Sequence, residues 1–192
     1  MTSLVETQHQ ESEQQISSAK KLSKTSILMH WSVGSLMIGI MAIGFFMTWN
    51  ERYDLYSLHK SLGVLILPLA LARIAWRMKK GFPEPVAPMD NLKVIAAKVV
   101  HYLLLASTVI LPVSGMVGSA AGGYGVPFFG MSLIDAVPQD MRPVNETLAS
   151  FAHTTHYIAG YVLAGVLILH VAGALWHHVI MKDRTLKRML GR

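Results

Sequence analysis

The sequence predicts an all-α integral membrane protein, a four-helix bundle with both termini cytoplasmic. Three observations predict it: four apolar stretches of spanning length, a lopsided distribution of lysine and arginine between them, and histidines at matched depths. Composition agrees, because 52% of the 192 residues are apolar and only 15% charged, too greasy for an ordinary soluble domain of this size. The net charge of +6 fits the flanks of membrane helices better than nucleic-acid binding. With no cysteine in the chain, disulfides, cysteine-ligated iron–sulfur clusters and thioether-linked haem are excluded. Histidines must do any coordinating.

The spans cover about 26–49, 57–77, 94–117 and 151–180, each reaching the ~20 residues a helix needs to cross ~30 Å of hydrocarbon. Pro68 and Pro112 fall inside two of them and predict kinks rather than breaks, since neighbouring helices satisfy the freed backbone groups. Orientation follows from charge. With the N-terminus inside, fourteen of the seventeen lysines and arginines fall on inner segments, leaving Arg52, Lys60 and Arg142 outside against Glu51, Asp54, Asp135, Asp140 and Glu146.

Residues 1–21 form a polar stretch without periodicity and read as a flexible cytoplasmic tail; residues 22–192 form the transmembrane domain. The apolar run after Lys24 is too long for a signal-peptide core and no small-residue cleavage site follows it, so it reads as a retained first span. GFPEPVAPMDN, 81–91, is a Pro-rich cytoplasmic linker, and 119–146 is a longer external loop with apolar tips.

Within the fourth span His156 and His170 are fourteen residues apart, which returns them to within about 40° of one another and separates them by ~21 Å along the axis. They share a face in opposite leaflets. His30 lies at the inner end of the first span and His59 at the outer end of the second, so depth pairs His59 with His156 outside and His30 with His170 inside. Two stacked imidazole pairs between facing helices are the arrangement expected for two non-covalent, bis-histidine haems in a four-helix bundle. A structural zinc would need four ligands converging at one point.

A porphyrin against a helix needs a small residue about one turn from its ligand. Gly34 follows His30, Gly63 follows His59 and Gly160 follows His156, each at i+4, while Gly173 and Ala174 follow His170. His101 has Leu105 at that position, leaving less room. Any single His-x-x-x-Gly is explained equally well by close helix packing, and one buried ionisable side chain does not identify a ligand. Four histidines at matched depths carry the argument. The methionines read as core or lipid-facing filler, and Trp31, Trp49, Trp76 and Trp176 as anchors near span ends, with Trp31 placed to pack beside a haem edge. The acidic residues lie outside the spans, which disfavours acid–base hydrolysis.

These residues carry a resemblance. "SILMHW" with His30, "SLHKSLG" with His59, "HYLLLASTVILPVSG" with His101 and "LHVAGALWHHVIMKDRTLKRML" with His170, His177 and His178 resemble the bacterial cytochrome b561 family from about Leu22 to the C-terminus. The resemblance implies a di-haem electron-transport protein of the bacterial inner membrane, with iron held at positions matching His30, His59, His156 and His170. It also implies an oxidoreductase that exchanges electrons with ubiquinone, some members taking them from superoxide at the periplasmic face. His101, His177 and His178, near the cytoplasmic ends of their spans, are the candidates for binding quinone or relaying its protons. Lys60, directly after His59, is the candidate on the donor side; its plainer role is an interfacial lysine reaching water. The outer surface as a whole does not favour an anionic donor, so Arg52, Lys60 and Arg142 would have to cluster to attract one. A haem-bearing anchor for a separate dehydrogenase or hydrogenase is the competing expectation, with Tyr124, Phe128, Phe129 and Met131 of the external loop as docking residues. A histidine-lined transporter without haem is the third.

Overall fold

The computed structural model describes residues 22–81, 86 and 90–191; the expected tail at 1–21 and most of the expected linker at 81–91 lie outside them. Helix α1 runs Lys24–Trp49, α2 Tyr56–Lys80 after a single 3-10 turn at Tyr53–Leu55, α3 Asn91–Ala121 and α4 Glu146–Val179, with a short α5 at Thr185–Met189. Strands β1 (Val126–Phe128) and β2 (Met131–Ile134) form an antiparallel hairpin between α3 and α4.

All four long helices have the length and apolarity to cross a membrane. Each outruns the stretch expected from hydrophobicity, because helical hydrogen bonding continues past the apolar run, in two of them as far as a capping side chain. Asn145 does this for α4: its side chain accepts the Leu148 N–H at 2.9 Å, fixing a start well before Phe151. The 34 residues of α4 measure ~51 Å at about 1.5 Å each, so this helix projects from a ~30 Å hydrocarbon layer. Ser23 caps α1 in the same way through the Ser26 N–H. Arg77, Lys79 and Lys80 occupy the last turn of α2, where positive charge is favourable against the helix dipole. Pro68 and Pro112 both lie inside continuous helices.

Close backbone packing runs α1 to α2, α2 to α3 and, most extensively, α3 to α4. The core consists of Val33, Met37 and Ile40 from α1, Ile66 from α2, Leu111 from α3 and Leu163 from α4. The outer faces are as apolar as the core. Ile168, Leu169, Ile38, Leu71 and Ile95 are all exposed, an arrangement that suits lipid and would leave a soluble bundle with an untenable surface.

The hairpin is fastened over one end of the bundle. Ser61 of α2, 1% exposed, accepts the Phe129 N–H at 3.0 Å, and Ser119 of α3 donates to the Gly125 carbonyl at 2.5 Å. At the other end, the Trp31 indole donates to the Met189 carbonyl at 2.9 Å and the Trp76 indole to Ser26 Oγ at 2.9 Å. These contacts hold α5 and α2 against the start of α1.

Candidate functional site

The fold brings the paired histidines together at both ends. His59 of α2 and His156 of α4 have ring centroids 6.1 Å apart at the hairpin end. His30 of α1 and His170 of α4 are 6.2 Å apart at the tail end. A metal–imidazole bond of about 2.0 Å, plus the ~1.1 Å from nitrogen to ring centre, taken on both sides of one metal, puts the centroids ~6.2 Å apart. Both pairs have the separation that one iron between two imidazoles requires.

The space beside them suits a macrocycle. A side-chain carbon added at Gly34, Gly63, Gly160 or Gly173 would meet nothing within 4 Å, so the small residues one turn from the histidines border open volume. Among the described residues, no three His, Asp or Glu side chains converge as a bare metal ion would need. The four histidines and these glycines are the groups that fit haem.

Between the two levels lies the apolar core. Leu163, 2% exposed, stands seven residues from both His156 and His170, and Ile66, 1% exposed, seven residues after His59. Seven residues return a helix to within ~20° of the same face, so each of these side chains lies on its histidine's face, midway down the bundle.

The two ends differ in what holds the rings. At the hairpin end the His156 Nδ1–H donates to the Leu111 carbonyl at 2.8 Å, leaving Nε2 with its lone pair for a metal. His59 Nδ1 is buried and makes no hydrogen bond. At the tail end the Arg73 guanidinium donates to His30 Nδ1 at 2.9 Å, and arginine has no acceptor role to offer. Ligation of iron through His30 Nε2 therefore requires Arg73 to turn away from Nδ1.

The remaining candidates separate clearly. His101 joins the tail-end cluster, its ring 5.3 Å from that of His170 and its Nδ1–H donating to the Ala97 carbonyl at 2.7 Å; that spacing is too short for an iron between the two. His177 pairs with Asp183 at 2.5 Å, and the second oxygen of Asp183 accepts the Thr185 N–H. Burial lifts the Asp183 carboxyl, but its hydrogen bonds from His177 and Thr185 outweigh this and hold it below the usual carboxylate range. His178 is exposed and takes no part in that pair.

Lys60 and Arg142 flank the Tyr124 ring, 5.8 Å and 5.1 Å from its centroid. Arg52 does not join them, being tied to Asp54 by a two-pronged contact at 2.8 and 2.9 Å. Trp31 touches the His30 ring edge-on at 5.4 Å while also anchoring α5.

Sequence reasoning missed Arg73 as a neighbour of His30, Asp183 as the partner of His177, and Gly44 and Gly115, which lie against the His59 and His156 rings. Arg73 had a signal: it stands fourteen residues after His59 on the same helical face, inside an apolar span where a charge is costly.

Residues 21–192 match the family described as prokaryotic cytochrome b561. The chain is 30% identical over 172 residues to cytochrome b561 homolog 2 of Escherichia coli strain K12, covering 87% of this chain and 89% of that one. To cytochrome b561 homolog 1 of the same organism it is 28% identical over 178 residues, covering 90% and 98%. To a protein of Yersinia pestis named as a probable superoxide oxidase it is 28% identical over 180 residues, covering 89% and 96%. With four membrane-spanning helices and histidine pairs spaced for iron, and with the family match running through all of them, the chain belongs to the prokaryotic cytochrome b561 family, membrane cytochromes that bind b-type haem and transfer electrons.

Proposed function

We propose that the chain holds two b-type haems, one on His59 and His156 and one on His30 and His170, and carries electrons from a donor at the hairpin end to ubiquinone. The hairpin end faces the periplasm and both termini lie in the cytoplasm, as the lysine and arginine distribution indicates. The observation that carries this reading is the pair of centroid separations, 6.1 and 6.2 Å, at opposite ends of a dry core. The bound haems would supply the one-electron chemistry.

The chain's own residues do the rest. Four imidazoles ligate, while Ile66 and Leu163 keep water from the interior between the levels. Lys60 and Arg142, side by side at Tyr124, gather an anionic donor where the external surface as a whole would repel one. Superoxide fits that requirement, and the relative from Yersinia pestis carries the same chemistry in its name. Two superoxide anions each lose one electron to give two dioxygen molecules, and two electrons with two protons convert ubiquinone to ubiquinol. His101, beside His170, is placed to hydrogen-bond a quinone carbonyl, and His177 with Asp183 to pass protons from the cytoplasm.

A second reading draws on the hairpin. Phe129, Met131, Leu133 and Ile134 are all exposed there, which suits docking of a separate dehydrogenase or hydrogenase that would deliver electrons directly. One experiment separates the two. The purified chain is assayed for haem per protein and for reduced-minus-oxidised spectra, then given superoxide, then ubiquinone. Two haems, reduced by superoxide and reoxidised by ubiquinone, support the first reading; haems that ignore superoxide favour the second, and a colourless protein refutes both.

A further inference from the structure

The paired rings at the hairpin end are each seated on a neighbouring helix that donates no ligand at that level. A carbon added at Gly115 of α3 would lie 3.0 Å from His156 Cε1 and 3.1 Å from Nδ1. Such contacts are tighter than most real side-chain carbons make, so the ring would have to give by a few tenths of an ångström. Four residues before Gly115 is Leu111, whose carbonyl receives the His156 Nδ1–H. The two observations have one cause. A helical carbonyl points along the axis toward the residue four positions on, and a side chain there walls off its flank. Glycine removes the wall, and the carbonyl's second lone pair accepts the imidazole.

The other flank has the glycine contact without the hydrogen bond. A carbon added at Gly44 of α1 would lie 3.0 Å from His59 Cε1 and 3.6 Å from Nδ1. Ile40, four residues earlier, presents its carbonyl beside the His59 ring, short of hydrogen-bonding geometry. These glycines are not those at i+4 from the histidines: Gly63 and Gly160 border open space, whereas Gly44 and Gly115 touch the rings themselves.

We propose that Gly115 with the Leu111 carbonyl and Gly44 against the His59 ring are positioning elements for the hairpin-end haem, the first fixing which nitrogen of His156 faces the iron and the second how the His59 ring is turned. This rests on the assignment of His59 and His156 as ligands. A hydrogen bond to the distal nitrogen of a ligating histidine orients the ring and raises its basicity, so disturbing the seat alters the haem's spectrum and potential before it alters the fold.

The test compares Gly115→Ala with Gly118→Ala in the purified, haem-loaded chain. Gly118 lies one turn further along the same helix interface, and a carbon there would crowd His153, 3.2 Å from its ring, and Ala152. It matches the packing insult without touching a proposed ligand. Haem per protein, low-temperature paramagnetic resonance of the ferric haems and a redox titration are read for each. Gly115→Ala is expected to displace or abolish the signal of one haem and leave the other in place, while Gly118→Ala retains both signals at their original positions. Both signals unmoved in Gly115→Ala, or the same change in both variants, overturns the proposal. If Gly115→Ala fails to assemble, Gly44→Ala decides through His59 by the same criteria. His156→Ala is the separate check on the ligands: retention of both haems there refutes the ligand assignment rather than the seat.

Discussion

Replacing Arg73 with Gln removes a fixed positive charge beside the tail-end haem site and nothing comparable from the hairpin end. The guanidinium contacts His30 Nδ1 at 2.9 Å. Adding the width of the imidazole, the reach to the guanidinium centre and a ~2 Å metal–nitrogen bond puts the charge about 8 Å from an iron on Nε2. That is the short limit, because Arg73 must turn from Nδ1 once that nitrogen carries the proton. At an effective dielectric of about 20 the interaction is then on the order of 2 kcal/mol, equivalent for one electron to ~90 mV. A cation favours the reduced metal, so Arg73→Gln lowers the midpoint potential of the tail-end haem, by tens of millivolts up to that limit. The other level is ~21 Å away along α4 and feels the charge at well under half strength. The assay is a spectroelectrochemical titration of the purified variant with the two haems resolved. Both midpoints unchanged, an upward shift, or a shift confined to the haem lost on His156→Ala would refute the reasoning.

His101→Ala is expected to retain both haems while slowing reoxidation by ubiquinone, whereas His30→Ala loses one haem; haem quantitation and quinone-pulse kinetics read the two effects, and loss of a haem in His101→Ala would reverse the tail-end assignment. Replacing Lys60 and Arg142 together by Gln should slow reduction by superoxide and flatten its dependence on ionic strength, measured by stopped flow; an undiminished rate with the same salt dependence counts against an anion-gathering pair. Because the folded Asp183 carboxyl is held below its ordinary value, its contribution to pinning α5 is present above pH ~3.9 and fades as the pH falls through the folded value. Hydrogen exchange at Thr185–Met189 should be protected at neutral pH, lose protection below about pH 4, and be unprotected at neutral pH in Asp183→Asn; equal protection in the two proteins sinks this account.

The four helices and the two histidine levels were legible because both are periodic. A span needs only a run of apolar residues, and the fourteen-residue interval between His156 and His170 fixes face and depth together. The helix ends were not, since Asn145 extends α4 through a side-chain cap that hydrophobicity does not register. What sits across from a histidine on another helix was legible only in part. Depth pairs His59 with His156, but nothing local says that Gly44 and Gly115 touch their rings, because that contact depends on how α1 and α3 are rotated. Small residues at i+4 were visible as a pattern; small residues on the facing helix needed the packing. The pair His177 and Asp183 was hidden for another reason: the chain turns back between them after Val179, and a turn of that length carries no periodic signature.

The asymmetry between the two levels also bears on the direction of electron flow. Helix α4 repeats a histidine after two heptads, with Leu163 midway, but α2 runs His59, Ile66, Arg73 on its matching face, so at the tail end α2 presents a cation where a second histidine would stand. The proposed ligand there, His30, comes from α1 instead. A buried cation raises the potential of the nearby haem. At the hairpin end, the hydrogen bond from His156 to Leu111 would make the imidazole a stronger donor and lower the potential of a haem held there. Lys60 and Arg142 act in the opposite sense, but both are partly exposed and screened by water. With haems bound as proposed, that balance would send electrons downhill from the hairpin end to the tail end. A redox titration of His156→Ala, which retains only the tail-end haem, should then show the higher of the two wild-type midpoints; finding the lower one would mean that the protein's fixed charges oppose the proposed flow.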